Sequence, residues 1–132
     1  MKPVSASVSR PIPVTSIIDC ADNSGAKTLN VIAVKGFKGT MRQRPAGGIG
    51  DLLVCSVVKG DPKKRHEKVF AVIIRQKKEY RRANGLRVQF EDNAAVLVND
   101  RNEPVGTEIK GPVAKEAVER FSAIGKISSQ IV

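Results

Sequence analysis

The sequence predicts a mainly β protein: a small closed β-barrel of the OB/SH3-like kind with a short helical C-terminal region. Three observations carry this. Five or six short apolar runs, punctuated by Gly, Pro, Asn and Asp, fill the chain before residue 111. The hydrophobic period shifts to helical spacing only after Gly111. At least one run is apolar on both faces, which suits a closed sheet, and closure removes the edges that invite aggregation.

Taken in order, residues 1–13 hold Pro3, Pro11 and Pro13 among serines and are expected to form an extended N-terminal arm. Residues 14–132 are expected to form a single β-barrel domain. Val14 to Cys20 reads as the first strand, and ADNSGAK (Ala21 to Lys27) as a polar turn rich in local side-chain acceptors. Thr28 to Lys35 is the second strand, apolar on both faces. Gly36 to Gly50 is a loop with five glycines, long enough to suggest a function of its own. Asp51 to Val58 is the third strand, Lys59 to Lys68 a turn on Gly60-Asp61-Pro62, and Val69 to Ile74 the fourth strand. Leu86, Val88 and Phe90 alternate with Arg87 and Gln89 after Asn84-Gly85, which predicts a tight turn and a fifth strand with those three residues on the core face. Ala94 to Val98 is a further short strand and Thr107 to Lys110 a last extended piece. A helix is expected near 112–124, opened by Pro112, with Val113, Ala114, Ala117, Val118 and Phe121 on its apolar face.

A chain of 132 residues buries roughly two-thirds of the surface that its unfolded form exposes. Without Trp, its core is aliphatic. No stretch approaches the ~18 apolar residues of a membrane span, and the N-terminus has no apolar core of a signal peptide, so a cytoplasmic protein is expected. Cys20 and Cys55 stand in strand contexts and read most simply as reduced, buried thiols, a disulfide between them being the alternative.

The net charge of +10 is unevenly placed. Lys35 to Arg87 holds 15 Lys or Arg against four acids, so this stretch carries +11 and the remainder −1. Like charges repel, and a chain that segregates them on glycine-rich connections prepares for a polyanion, of which nucleic acid is the leading class. A solvated, solubility-giving surface is the bland alternative, and segregation argues against it. Candidate RNA-binding residues are Lys35, Lys38, Arg42 and Arg44 in the glycine-rich loop; Lys63, Lys64 and Arg65 in the next turn; and Arg75, Lys77, Lys78, Tyr80, Arg81 and Arg82 before Asn84. Tyr80 is the lone aromatic among them, able to stack on a base or to pack beneath the hairpin. So few aromatics make no single-strand stacking platform, which favours recognition of folded RNA by backbone and shape.

An enzyme reading finds little to stand on. His66 is the only histidine and lies in a charged turn. Glu91 and Asp92 are adjacent and face opposite ways on an extended chain. GGIGDL fails the dinucleotide fingerprint at Leu53, no P-loop lysine is correctly spaced, and Lys38 breaks the start of an RNA-recognition-motif signature. No cofactor or metal is expected.

One resemblance spans the chain from about Val14 onwards. Ala71 to Ile74, Asn84-Gly85, Phe90, Asn93 and Val96-Leu97 stand at the spacings of the signature of the large-subunit ribosomal protein L-fourteen family. ADNSGAK and GPVAKE (Gly111 to Glu116) resemble two further blocks in the same order, and the arm and EYRRANG look more like the archaeal and eukaryotic branch. The resemblance implies a five-stranded barrel without catalytic activity that binds 23S-type ribosomal RNA and contributes to bridges with small-subunit RNA. It implies neighbours as well: ribosomal protein L-three and a small zinc-ribbon ribosomal protein. It transfers no individual RNA contact. A free-standing OB-like RNA-binding or translation factor is the alternative.

Overall fold

The structure, a computed structural model, describes residues 2–132, so the first residue of the expected arm lies outside it. In chain order the elements are β1 (Ile12–Pro13), β2 (Ile17–Cys20), β3 (Ala26–Val34), β4 (Ala46–Gly47), β5 (Leu52–Gly60), β6 (Lys68–Arg75), β7 (Tyr80–Arg81), β8 (Arg87–Val88), β9 (Ala94–Val98), β10 (Ile109–Val113), α1 (Lys115–Arg120), α2 (Ser122–Ile127) and β11 (Ser128–Ile131). Strands β2, β3, β5, β6 and β9 close into a barrel in that order. Neighbours run antiparallel, except β9 and β2, which are parallel where the sheet closes.

Register explains the interior. Directly paired residues share a face, and the pairings Ile18 with Leu29, Leu29 with Val57, Val31 with Cys55, Leu53 with Ala71, Ala71 with Leu97 and Ile73 with Ala95 carry one face around the barrel. All these residues are buried. Each fully buried Ile, Leu or Val contributes about 1.5–3 kcal/mol relative to exposure. The alternate residues Val72, Ile74, Ala94 and Val96 point outward and are buried too. Their cover is the C-terminal segment: α1 and β10 pack on β6, and the Ala114 N–H donates to the Ile74 carbonyl at 3.1 Å. Two covered faces are why β6 and β9 read as continuous apolar runs.

Three expectations need correction. The fifth barrel strand is β9, not Leu86 to Phe90. Only Arg87 and Val88 of that run are in a strand, paired with β7 in a separate two-stranded sheet. Alternation marks one covered face, and here the cover is partial: Val88 and Phe90 pack on the core while Leu86 is 63% exposed. Second, the helix expected near 112–124 is two short helices broken at Phe121, and it opens later than Pro112. Pro112 lies in β10 opposite Gln130 of β11, and beside it the Val113 carbonyl accepts the Val132 N–H at 2.9 Å. Third, the first barrel strand starts at Ile17 rather than Val14, because the chain turns at Thr15, which has φ +72°.

Antiparallel order sends alternate connections to opposite ends. Residues 35–51 and 76–93 leave one end of the barrel, while residues 21–25, 61–67 and 99–108 leave the other.

Candidate nucleic-acid interface

The hairpin at the first end is built by its turn. The Arg82 N–H donates to the Leu86 carbonyl at 2.8 Å, and the Gly85 N–H to the Arg82 carbonyl at 2.9 Å. Asn84 Oδ1 accepts the Leu86 N–H, and Gly85 sits at φ +89°, where a side chain is strained even in open space. The turn reading of Asn84-Gly85 therefore holds, although the strand after it does not.

Within this hairpin the charges divide. Arg75, expected at the interface, is 8% exposed and fully used by the protein. Its Nε and Nη2 donate to the two Asp92 oxygens at 2.9 and 3.2 Å, and its Nη1 donates to the carbonyls of Lys110 and Pro112. A planar guanidinium can tie β6 to β10 in this way because its fork matches a carboxylate and leaves a third nitrogen free. Arg82, also expected at the surface, donates from Nε to Glu116 Oε1 at 2.8 Å and from Nη2 to the Val132 carbonyl at 2.7 Å. Tyr80 is 1% exposed and donates to Glu116 Oε2 at 2.7 Å, so no base can stack on it. Burial and the Glu116 hydrogen bond push its phenol well above the usual range. Burial alone would pull Arg82 down, yet hydrogen bonds to Glu116 and Tyr80 raise it, and the guanidinium stays charged. The structure uses these three side chains within the fold, where they were expected at the surface. A buried carboxylate at position 116 demands positive and hydroxyl partners, and they are the nearest supplied.

What remains exposed at this end is Lys77, Lys78 and Arg81 on the hairpin and Lys35, Lys38, Arg42 and Arg44 on the glycine-rich loop. Among the described residues, none of these seven is in an ion pair. Lys35 Nζ lies 4.2 Å from the Phe70 ring centroid, a cation–π contact that directs it along the barrel wall. Only the loop's tip projects, because its return limb is held. β4 pairs with β1, Gly48 to Gly50 are buried, and the Gly50 N–H donates to the Ile73 carbonyl at 2.9 Å. Lys63, Lys64 and Arg65 leave the opposite end with Asp61 and Glu67, and Lys64 lies 3.8 Å from Glu67. The three basic segments therefore do not form one site.

Arg10 is not among the residues expected at this end. This exposed residue of the arm shares a recess of about 140 Å³ with Lys35 and Gly36. Nothing in its neighbourhood signalled this, since its place follows from the pairing of β1 with β4. The thiols are free: Cys20 donates to Asp22 Oδ1 at 2.9 Å, and burial pushes both Cys20 and Cys55 up to about 12.

Compared with known proteins, the chain matches the family described as ribosomal protein L14p/L23e over residues 11–132. The chain belongs to this family. The "Large ribosomal subunit protein uL14" of Methanococcus maripaludis strain S2 is 52% identical over 131 residues, covering 99% of each chain. That of Halorubrum lacusprofundi is 50% identical over 132 residues, covering all of both. The blocks that carry the family resemblance turn out to be fasteners. Asp22 is 5% exposed and accepts from the N–H groups of Leu97 and Ser24 and from the Ser24 hydroxyl. Asn23 accepts from the Thr107 and Glu108 N–H groups, Asn93 from the Lys77 N–H, and Glu116 holds Tyr80 and Arg82. In this L14p/L23e chain the motifs hold connections in place while the exposed cations stand on them.

Proposed function

We propose that this protein of the large ribosomal subunit, a structural component rather than an enzyme, holds 23S-type ribosomal RNA against one end of its barrel. Lys38, Arg42 and Arg44 from the glycine-rich loop and Lys77, Lys78 and Arg81 from the hairpin are its phosphate contacts. The observation that carries this reading is the division of cations at that end. Arg75 and Arg82 are consumed by the fold, while six flexible cations stand free on two connections whose bases are fastened. Unpaired charges repel one another and are retained where an anion offsets them. Few exposed aromatics leave backbone and shape as the mode of recognition. Lys63, Lys64 and Arg65, at the far end, are the candidates for a second RNA, which for this family implies small-subunit RNA at an intersubunit bridge. Neighbours of the L-three and zinc-ribbon kinds rest on the resemblance alone.

The test is affinity for a large-subunit rRNA fragment as salt is raised, read with chemical footprinting. Each phosphate neutralised should release roughly 0.7 to 0.9 counterions. Affinity that ignores salt sinks the proposal. Sedimentation separates the free-standing factor: a structural component remains with the large particle in moderate salt, and release there favours the factor.

A further inference from the structure

Between the clamped Arg75 and the exposed Lys77 stands Gln76, with none of its surface exposed. Its carboxamide reaches three separate segments. Oε1 accepts the Ile49 N–H at 3.0 Å from the return limb of the glycine-rich loop. Nε2 donates to Ser9 Oγ at 2.9 Å in the arm and to the Lys78 carbonyl at 2.9 Å in the hairpin. Ser9 Oγ passes the connection on, donating to the Glu79 carbonyl at 3.0 Å. Only the amide oxygen can face the Ile49 N–H, so the orientation of the group is fixed and both its donors are used. Packing agrees, since a Cβ on Gly48 would run into the Ser9 carbonyl oxygen. Around this knot the arm is sewn to both basic segments, by β1 with β4 and by the Ser7 N–H to the Arg81 carbonyl at 2.9 Å.

Arg10 follows Ser9 directly. The recess that it shares with Lys35 also holds Asp51, but that carboxylate already accepts from Arg120 at 3.2 Å and the Gly48 N–H at 2.8 Å. Two exposed cations thus flank a recess whose one acid is occupied.

We propose that Gln76 is a positioning residue that locks the arm, the glycine-rich loop and the hairpin into one surface, and that it thereby places Arg10 beside Lys35 as a further phosphate contact. This rests on the RNA-binding reading above, so its test has one arm without RNA. In the free protein, Gln76→Ala should speed amide exchange at Ser7 and Ile49 by about tenfold or more while Leu97 and Val57 in the barrel stay protected. Unchanged exchange at Ser7 and Ile49 overturns the lock. With the rRNA fragment, Arg10→Ala should weaken binding about three- to tenfold and reduce the counterion release by roughly 0.7 to 0.9. In the Gln76→Ala background the same Arg10 change should add less than about twofold, because contacts that depend on one element do not add. Additive losses, or an Arg10→Ala protein that binds like wild type, overturn the proposal and leave the RNA reading standing. Salt-independent binding by the wild type removes both. Should Gln76→Ala fail to fold, Ser9→Ala cuts only the arm's connection and should show the same coupling to Arg10, and independence there counts against the lock.

Discussion

The two ends of the barrel differ in charge and in what fastens them. Connections 35–51 and 76–93 hold nine basic and four acidic residues, net +5, and they are tied down through Arg75, Arg82 and Arg120. Connections 21–25, 61–67 and 99–108 hold four basic and six acidic residues, net −2, and their fasteners are Asp22, Asn23 and Asn99. Both ends satisfy backbone groups that turns leave unpaired. Both use carboxylate and amide acceptors for N–H groups, as Asp51, Gln76 and Asn93 do at one end and Asp22, Asn23 and Asn99 at the other, but the first end adds guanidinium donors to carbonyls. A count of positive charge therefore overstates an interface, because arginine also serves as a fastener. Which cations face a partner is decided by what the carboxylates nearby have already taken.

The contrast can be broken most severely at Arg75. Arg75→Ala leaves Asp92 and the carbonyls of Lys110 and Pro112 without their partner, at a cost of about 2–3 kcal/mol, since water can reach the freed Asp92 carboxylate. Thermal melting should show a large fall in Tm, whereas Arg81→Ala, a few residues away and exposed, should melt like wild type. Equal melting of the two would erase the distinction between fastener and contact.

Charge reversal at the two ends comes next. Replacing Arg42, Arg44 and Arg81 by Glu should weaken binding to large-subunit rRNA by at least about tenfold per residue, near 1.4 kcal/mol each. The same change at Lys63, Lys64 and Arg65 should spare that binding and instead slow joining of the subunits, read by light scattering. Loss of large-subunit rRNA binding from both triples alike would mean that net charge matters and its location does not.

A smaller effect is expected at the turn. Gly85→Ala places a Cβ at φ +89° and should cost about 1 kcal/mol, with no clash to add to it. A loss of several kcal/mol, measured by denaturant unfolding, would show that the hairpin's register governs the core after all.

The last effect is nil at neutral pH. Cys20 and Cys55 rise from an ordinary 9.0 to about 12 through burial, with Asp22 adding to the rise at Cys20. The folded state thus keeps its thiol protons where the unfolded state releases them. Their contribution is complete below pH 9 and is lost as pH rises towards 12. Stability should fall over that window, and less steeply in a Cys55→Ala protein compared with its own value at pH 7. An identical slope would show the thiols to be spectators.

Sequence alone determined the class of the fold, since periods of two and helical spacing are properties of local chain geometry. The run of Ala94 to Val98, the turn at Asn84-Gly85 and the concentration of charge between Lys35 and Arg87 were all legible, and three ordered motifs named the family. Tertiary structure decided the rest. Whether Arg75 meets a phosphate or Asp92 depends on a carboxylate 17 residues away, and Tyr80 is sealed by Glu116, 36 residues on. Arg10 lines a recess with Lys35 because β1 pairs with β4, and Gln76 gathers three segments that share no local pattern. A side chain's type shows what it can bind. Its partner is whichever group the folded chain brings within reach, and hydrogen bonds and ion pairs act over a few ångströms of space rather than along the sequence.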